Sequence, residues 1–239
     1  MRRAIMKRKG GMRLTTWNCH HGEVEQRLAL LRPLAPDLVT LQECRRPALR
    51  FSEVIWSGKR EVQGIAVASR NPALRLERLN VDVAPTALPV IVHGPSPFLL
   101  LALWTHPPYE EFTRSAHRIC AAGGRALPMV VMGDLNVTAK SNVIKTLEEE
   151  FELVSAYHAY HRVVPGDERH PTHFWRRWNT APWHIDFCLV PAMWVTKLRK
   201  VRVGSFEKWR AESDHCPVTV DLDTARVALG GVSRGRSGT

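Results

Sequence analysis

Residues 128–136 read PMVVMGDLN. Met129 to Met132 form an uninterrupted apolar run, the pattern of a strong strand, and the stretch then closes on an acid and an amide, Asp134 and Asn136. A core disfavours both groups, because each loses hydration on burial. The same signature recurs along the chain. RLTTWN (13–18) closes on Asn18, LVTLQE (38–43) on Glu43 and LLLALWTH (99–106) on His106. Asp186 sits inside the otherwise apolar WHIDFCLV (183–190), and SDHCPV (213–218) sets Asp214 and His215 where PVTVDL (217–222) begins. Strand ends beside loops are where sites are built on rigid scaffolds.

Working outward, these strands alternate with helices. EVEQRLALLRPL (23–34) spaces Val24, Leu28 and Leu31 as one helical face, and Pro33 and Pro36 stop it. Further strands are expected at VQGIAVASR (62–70), LNVDVAP (79–85), PVIVHG (89–94), FLLLALWTH (98–106) and LRKVRVGSF (198–206), with turn residues between them. Helices are expected at YEEFTRSAHRICAA (109–122) and VIKTLEEEF (143–151). The pattern is that of an α/β protein whose sheets pack together inside a helical coat. No short tandem repeat or Pro/Ser linker interrupts residues 14–222, and 239 residues with 44% hydrophobic composition suit one sizeable domain.

Charge and cysteine content narrow the classes. The net charge is +11, but residues 1–13 carry six basic groups and no acid, and residues 223–239 carry three against one acid. The remaining 25 bases and 22 acids leave only +3 on the body of the chain. The expected division is a basic flexible tail over 1–12, one domain over 13–222 and a Gly/Ser-rich flexible tail over 223–239. Those tails could steer the protein to a polyanion or simply be solvated. No run of about 18 apolar residues exists, so no membrane span is expected. The basic start leads into no apolar segment of the signal-peptide kind, and five cysteines without CxxC spacing read as reduced thiols, so the expected compartment is the cytoplasm.

If the polar strand ends meet, they gather four carboxylates, two amides and two imidazoles in one cleft. Carboxylates that close repel one another by several kcal/mol unless a cation sits among them. Oxygen donors without thiolates suit a hard ion, Mg²⁺ or else Mn²⁺ or Ca²⁺. Mg²⁺ commonly shares its coordination with a substrate phosphate, which makes phosphoester chemistry the natural use.

In order, WN of TTWNCHHG, QE of LVTLQE, the histidine of LALWTH, GDLN, HID of WHIDF and SDH of SDHCPV resemble the motifs of the endonuclease/exonuclease/phosphatase superfamily. Each motif alone is weak. Six in one order, from Asn18 to His215, are a strong signal. The resemblance implies a deoxyribonuclease I-like fold: a four-layer α/β sandwich of two packed mixed β-sheets flanked by helices. It implies Glu43 as principal metal ligand with Asn18 and Asp214 in support, and Mg²⁺ (or Mn²⁺) as the ion. It implies an Asp186–His215 pair that fixes the imidazole toward the phosphate, Asp134 orienting and deprotonating the attacking water, and Asn136 positioning phosphate or water. The histidine at 106 resembles the deoxyribonuclease and sphingomyelinase branches and would act as a second hydrogen-bond donor or acid, with Tyr109 in HPPYEEF as the alternative.

Each residue also has a plainer reading. Asn18 and Asn136 alone could be turn residues and Asp186 a structural ion pair; the constellation favours a site. Cys19, Cys44 and Cys216 adjoin proposed site residues, but strand alternation turns them to the opposite face and into the core. The Asn136–Thr138 sequon is coincidental. For substrate, Arg176, Arg177 and Trp178 in HPTHFWRRWNTAPWHID place cations among aromatic rings, a combination suited to stacked bases and phosphates, or else a covering of the sheet. His20 and His21 could contact substrate or be loop residues. No long insertion of the kind that grips duplex DNA stands out. The expected function is Mg²⁺-dependent hydrolysis of a phosphodiester, with nucleic acid as partner, by a monomer that attacks in line with water. A small-molecule or lipid-headgroup ester is the alternative substrate, and a binding module that retains the pocket without turnover is the alternative class.

Overall fold

The computed structural model of the chain describes residues 11–48, 53–122 and 127–223. The expected tails lie outside the described residues except at their inner ends, where Gly11 and Met12 already belong to the first strand and Asp223 closes the last. Along the chain the elements are β1 (Gly11–Asn18), α1 (Val24–Leu30), β2 (Leu38–Cys44), β3 (Val54–Arg60), β4 (Gln63–Ser69), β5 (Arg75–Arg78), β6 (Ala87–His93), β7 (Phe98–Trp104), α2 (Glu110–Ala122), β8 (Met129–Asp134), α3 (Asn142–Phe151), β9 (Leu153–Ser155), α4 (Ala156–His161), β10 (His173–Phe174), β11 (Pro182–Trp183), β12 (Asp186–Pro191), β13 (Leu198–Val203), α5 (Phe206–Trp209) and β14 (Val218–Asp223).

Two six-stranded sheets carry the fold, in the orders β13-β14-β1-β2-β4-β3 and β5-β6-β7-β8-β12-β9, beside a small hairpin of β10 and β11. Each sheet is antiparallel except for one central parallel pair, β1 with β2 and β7 with β8. A parallel pair needs a crossover, and α1 and α2 lie within the two that occur here. All four of these strands therefore deliver their C-terminal ends to one edge of their sheet. β12 and β14 run antiparallel to β8 and β1, so their starts fall where those strands end: Asp186 opposite Asp134, and Val218 opposite Thr16. Strand topology thus gathers the polar strand ends at one edge within each sheet, and the packing of the two sheets brings those edges, with the SDH segment, together.

Side-chain alternation builds the layers. Leu14, Leu38, Ile65 and Val67 of the first sheet meet Leu88, Leu100, Val130, Met132 and Val190 of the second in the central core. The other face of the first sheet buries Trp17, Val39 and Leu41 against Val24, Leu31 and Trp209. The outer face of the second buries Leu101, Leu103, Val131 and Leu189 against Phe112, Ile119, Ile144 and Leu147 of α2 and α3. The result is the expected four-layer sandwich of two mixed sheets between helices. Cys19, Cys44 and Cys216 lie in the helix-side core of the first sheet as expected, although only Cys19 gets there by continuing its strand's alternation, and burial pushes the Cys19 and Cys216 thiols up to about 12.

Several local expectations are corrected. Residues 79–85 are not a strand: Leu79 and Val83 lie half-buried against the α2/α3 layer, and after the Leu79 N–H bonds the Pro89 carbonyl the segment leaves the β5–β6 ladder. The strands nearby are β3 and β5, at sheet edges, whose charged sequences VIWSGKR and RLER hide a strand pattern that edges tolerate. The first helix ends at Leu30, and Arg32–Leu34 form a 3₁₀ turn around Pro33, which has no N–H to continue the ladder. Asp186 opens β12 instead of sitting inside it. No helix among the described residues is long and apolar enough to cross a membrane.

Candidate active site

Asn18, at the end of β1, is buried, and its Nδ2 donates to Glu43 Oε1 at 3.0 Å and to Asp134 Oδ2 at 2.9 Å. One amide thereby ties the first sheet to the second. Glu43 reaches it through a break in alternation. Val39 and Leu41 face the helix side, Thr40 and Gln42 bond each other on the opposite side, and regular pleating would return Glu43 to the helices. Instead the register slips between Leu41 and Cys44, where three steps on β2 oppose two on β4, and Glu43 takes a left-handed φ of 55°. This bulge swings the carboxylate beside Asn18 and leaves the helix-side position to Cys44. A left-handed non-glycine residue costs about 1–2 kcal/mol, and such outliers concentrate at functional positions.

Asp134 is buried at the end of β8. Its Oδ1 accepts from the Asn136 backbone N–H at 3.0 Å and its Oδ2 from Asn136 Nδ2 at 3.2 Å. Asn136, itself left-handed with φ 48°, spends its other amide hydrogen on the Thr105 carbonyl at 3.0 Å. The Thr105 hydroxyl donates in turn to the Leu135 carbonyl, and the Tyr109 hydroxyl to the Asn136 carbonyl at 3.3 Å. Tyr109 is thus a prop beneath the Asn136 turn, its ring packed on the α2/α3 core.

His215 is fastened on every side. Its Nδ1 is 2.8 Å from Asp186 Oδ2, its backbone N–H donates to Ser213 Oγ at 3.0 Å, and its carbonyl accepts from Trp17 Nε1 at 2.9 Å. Ser213 Oγ donates to the Asn18 carbonyl at 2.8 Å, and the Asp186 N–H donates to Thr172 Oγ1 at 3.1 Å. The free edge of the ring, Nε2, lies 3.9 Å from Asp134 Oδ2. Glu43, Asn18, Asp134, His215 and Asp186 therefore form one continuous polar array.

Electrostatics follow from this packing. Burial raises Asp134 to about 7, with the His215 charge opposing and the Asp186 charge reinforcing the rise. Burial acts against a charged His215, yet the Asp186 and Asp134 carboxylates outweigh it and hold the ring up at about 10. The ring is accordingly an imidazolium at neutral pH. Asp186 Oδ1 is a buried acceptor that finds no hydrogen-bond partner among the described residues. Among the described residues, two groups bring potential metal-ligating atoms within 4.8 Å of one another: buried Asp134, Asp186 and His215, and the more open His20, His21 and Glu43. In the first group the charged His215 ring has no lone pair to give and occupies the place of a cation itself; the second, with oxygen and imidazole nitrogen and no thiolate, fits a hard or borderline divalent cation.

The remaining expected residues lie around this array. Asp214 Oδ1 is 3.4 Å from His20 Nδ1, and its Oδ2 is 3.9 Å from His173 Nε2. His106 is exposed, edge-on to Trp104 at 4.5 Å; partial burial lowers its pKa, and the Glu43 carboxylate works the other way. Arg176, Arg177 and Trp178 are exposed in and just after a 3₁₀ turn following β10, where Arg177 bonds the Ala211 carbonyl at 3.4 Å. They join the array through His173, whose ring lies 4.5 Å from that of His215 and 6.3 Å from that of Trp175. Sequence reading misses His173, Thr172, Thr105 and Ser213. The adjacency of His20 and His21 to Asn18 is a signal for those two, and Ser213 and Thr105 sit inside the SDH and LALWTH motifs, which do not by themselves mark them as contributors; nothing local marks His173 or Thr172.

The profile of the Endonuclease/Exonuclease/phosphatase family matches residues 15–215. No curated protein sequence matches. The endonuclease domain of TRAS1, a telomere-specific non-LTR retrotransposon, is 15% identical with a TM-score of 0.70, over 90% of this chain and 99% of that one. An AP endonuclease from Archaeoglobus fulgidus and a 3' phosphatase from Neisseria bound to product DNA hairpin are each 18% identical with TM-scores of 0.63, over 89% of this chain and 99% of theirs. At these identities the likeness is one of fold.

Proposed function

Because the chain belongs to the endonuclease/exonuclease/phosphatase family, whose members are metal-dependent phosphoric ester hydrolases, we propose that it hydrolyses phosphodiester bonds of nucleic acid with a divalent ion, Mg²⁺ or Mn²⁺. The observation that carries this reading is the unbroken array from Glu43 through Asn18 and Asp134 to the His215–Asp186 pair. Glu43, with Asn18 and Asp214, would hold the ion. When bound, the ion neutralises charge on a phosphate oxygen and on the departing oxygen.

The chain's own residues supply the rest. Nδ1 of His215 is committed to Asp186, so Nε2 is the N–H that faces outward, and its positive charge suits a phosphate oxygen as charge builds there. Asp134, raised by burial to about 7, is poised near neutral pH to take a proton from the attacking water. Asn136 has both amide hydrogens engaged, so it offers that water its side-chain carbonyl oxygen as an acceptor. As the water oxygen bonds to phosphorus, the ester bond on the opposite side breaks, and His106 stands on the exposed side to donate to the departing oxygen. Nucleic acid is favoured over a small ester because Trp175, Trp178 and Trp183, exposed by 59%, 60% and 53%, leave three large rings uncovered beside Arg176 and Arg177.

Purified protein with Mg²⁺, with Mn²⁺ or with EDTA, assayed on single-stranded DNA, duplex DNA, RNA and a chromogenic diester, tests the proposal. Cleavage of a nucleic acid only with the ion is expected. Turnover of the diester alone would transfer the assignment to a small-ester hydrolase, and metal binding without any turnover would make the chain a binding module.

A further inference from the structure

The turn after Asn18 places two imidazoles at the open end of the array. His20 and His21 both adopt left-handed backbone, φ 49° and 62°, and His20 N–H donates to Asn18 Oδ1 at 3.2 Å. The sharp turn aims the rings at two different carboxylates: His20 Nδ1 lies 3.4 Å from Asp214 Oδ1, and His21 Nε2 lies 3.4 Å from Glu43 Oε2. Charged N–H···O contacts close to about 2.7–2.9 Å when they are ion pairs. Two donors sharing one ion at about 2.0–2.2 Å instead stand about 2.8–3.1 Å apart in octahedral and about 3.3–3.6 Å apart in tetrahedral geometry. Both observed spacings fall in the tetrahedral range, and donor atoms of His20, His21 and Glu43 lie within 4.8 Å of one another.

Resting on the reading of Glu43 and Asp214 as holders of the ion, we propose that His20 and His21 contribute imidazole nitrogens to the same site, so that it takes a first-row transition ion such as Mn²⁺ in preference to Mg²⁺. The chemistry follows from donor type. Mg²⁺ demands oxygen in near-ideal octahedral geometry and parts with water reluctantly, whereas first-row transition ions accept imidazole nitrogen; Mn²⁺, at the oxygen-favouring end of that series, is the member whose unpaired spins report the nitrogen directly. Both rings are half-exposed whereas the Asn18 amide is buried, so they would reach an ion from the solvent side.

The test uses the full chain and ion binding, independent of turnover. Mn²⁺ is titrated while free ion is followed by electron paramagnetic resonance, Mg²⁺ serves as competitor, and the spin echo of bound Mn²⁺ is examined for imidazole-nitrogen modulation. Wild type is expected to hold Mn²⁺ at least about tenfold more tightly than Mg²⁺ and to show the modulation. The His20→Ala/His21→Ala double variant should lose the modulation and about tenfold or more in Mn²⁺ affinity, with Mg²⁺ affinity changed by less than about threefold. Bound Mn²⁺ without nitrogen modulation, or unchanged Mn²⁺ affinity in the double variant, overturns the proposal. Glu43→Gln separates the two levels. If it weakens both ions, the site at Glu43 stands whatever the imidazoles do; if it weakens neither, that reading fails first.

Discussion

His215 and Asp134 respond to pH through opposite charges but in the same direction. Both have pKa values raised above their ordinary ones, to about 10 and about 7, so each favours the protonated state in the fold. For His215 the stabilisation is fully present below about 6.5 and is lost as pH rises through the folded value. On the proposed reading, the imidazolium that would face phosphate should disappear in that same alkaline window. Asp186→Asn removes the strongest of the charges that hold the proton on, so the alkaline limb of kcat should move down by at least about one pH unit, with the far-ultraviolet spectrum unchanged. An alkaline limb that stays in place would mean that Asp186 does not govern the ring. His215→Ala should lower kcat by about 10²–10⁴. For Asp134, stability is lost between its ordinary value near 3.8 and about 7, because the unfolded carboxyl ionises first. A bound divalent ion offsets that loss only where protons no longer compete. The rise in Tm on adding Mn²⁺ should therefore be larger at pH 7.5 than at pH 5.5; equal increments at the two pH values would remove Asp134 from the ion's electrostatic neighbourhood.

At the scale of elements, the site depends on how closely β7 and β8 approach. A methyl group on Gly133 would stand 1.8 Å from the Leu103 carbonyl oxygen, a backbone atom that cannot swing away. Gly133→Ala must therefore part the parallel pair next to Asp134 and Thr105. A loss of about 3 kcal/mol, a fall in Tm of about 6–12 °C, is expected, together with lost turnover. A variant with wild-type Tm would show that the strands part at no cost. The same elements explain what the sequence could disclose. Asn18, Glu43, Asp134, Asp186 and His215 are visible because a polar group at the edge of an apolar run contradicts burial, and strand topology then gathers such edges. The Glu43 bulge is invisible, because pleating alone would turn that carboxylate toward the helices. Thr172 and Ser213 are equally hidden: polar loop residues are ordinary, and their bonds to Asp186 and Asn18 join segments 14 and 195 residues apart. The edge strands β3 and β5 escape notice because solvent on one side relaxes the demand for apolar residues.

Across the whole molecule, charge and aromatic rings fall in different parts of the sequence: most of the +11 lies in residues 1–13 and 223–239, and residues 14–222 carry only +3. On the proposed reading, the described residues would grip substrate mainly by stacking and local contacts. The turn carrying Trp175, Arg176, Arg177 and Trp178 would supply both, with the Trp175 ring 6.3 Å from that of His173, which in turn lies 4.5 Å from that of His215. Each base–aromatic contact of this kind contributes about 1–3 kcal/mol. The Trp175→Ala/Trp178→Ala double variant should accordingly raise KM for single-stranded DNA or RNA by about tenfold or more while leaving kcat on a chromogenic diester within about twofold. That split belongs to the nucleic-acid reading alone, since a small ester has no base to lay on the rings. If KM for every substrate is unchanged, the tryptophans are a surface feature, and the specificity of the enzyme lies elsewhere in the cleft.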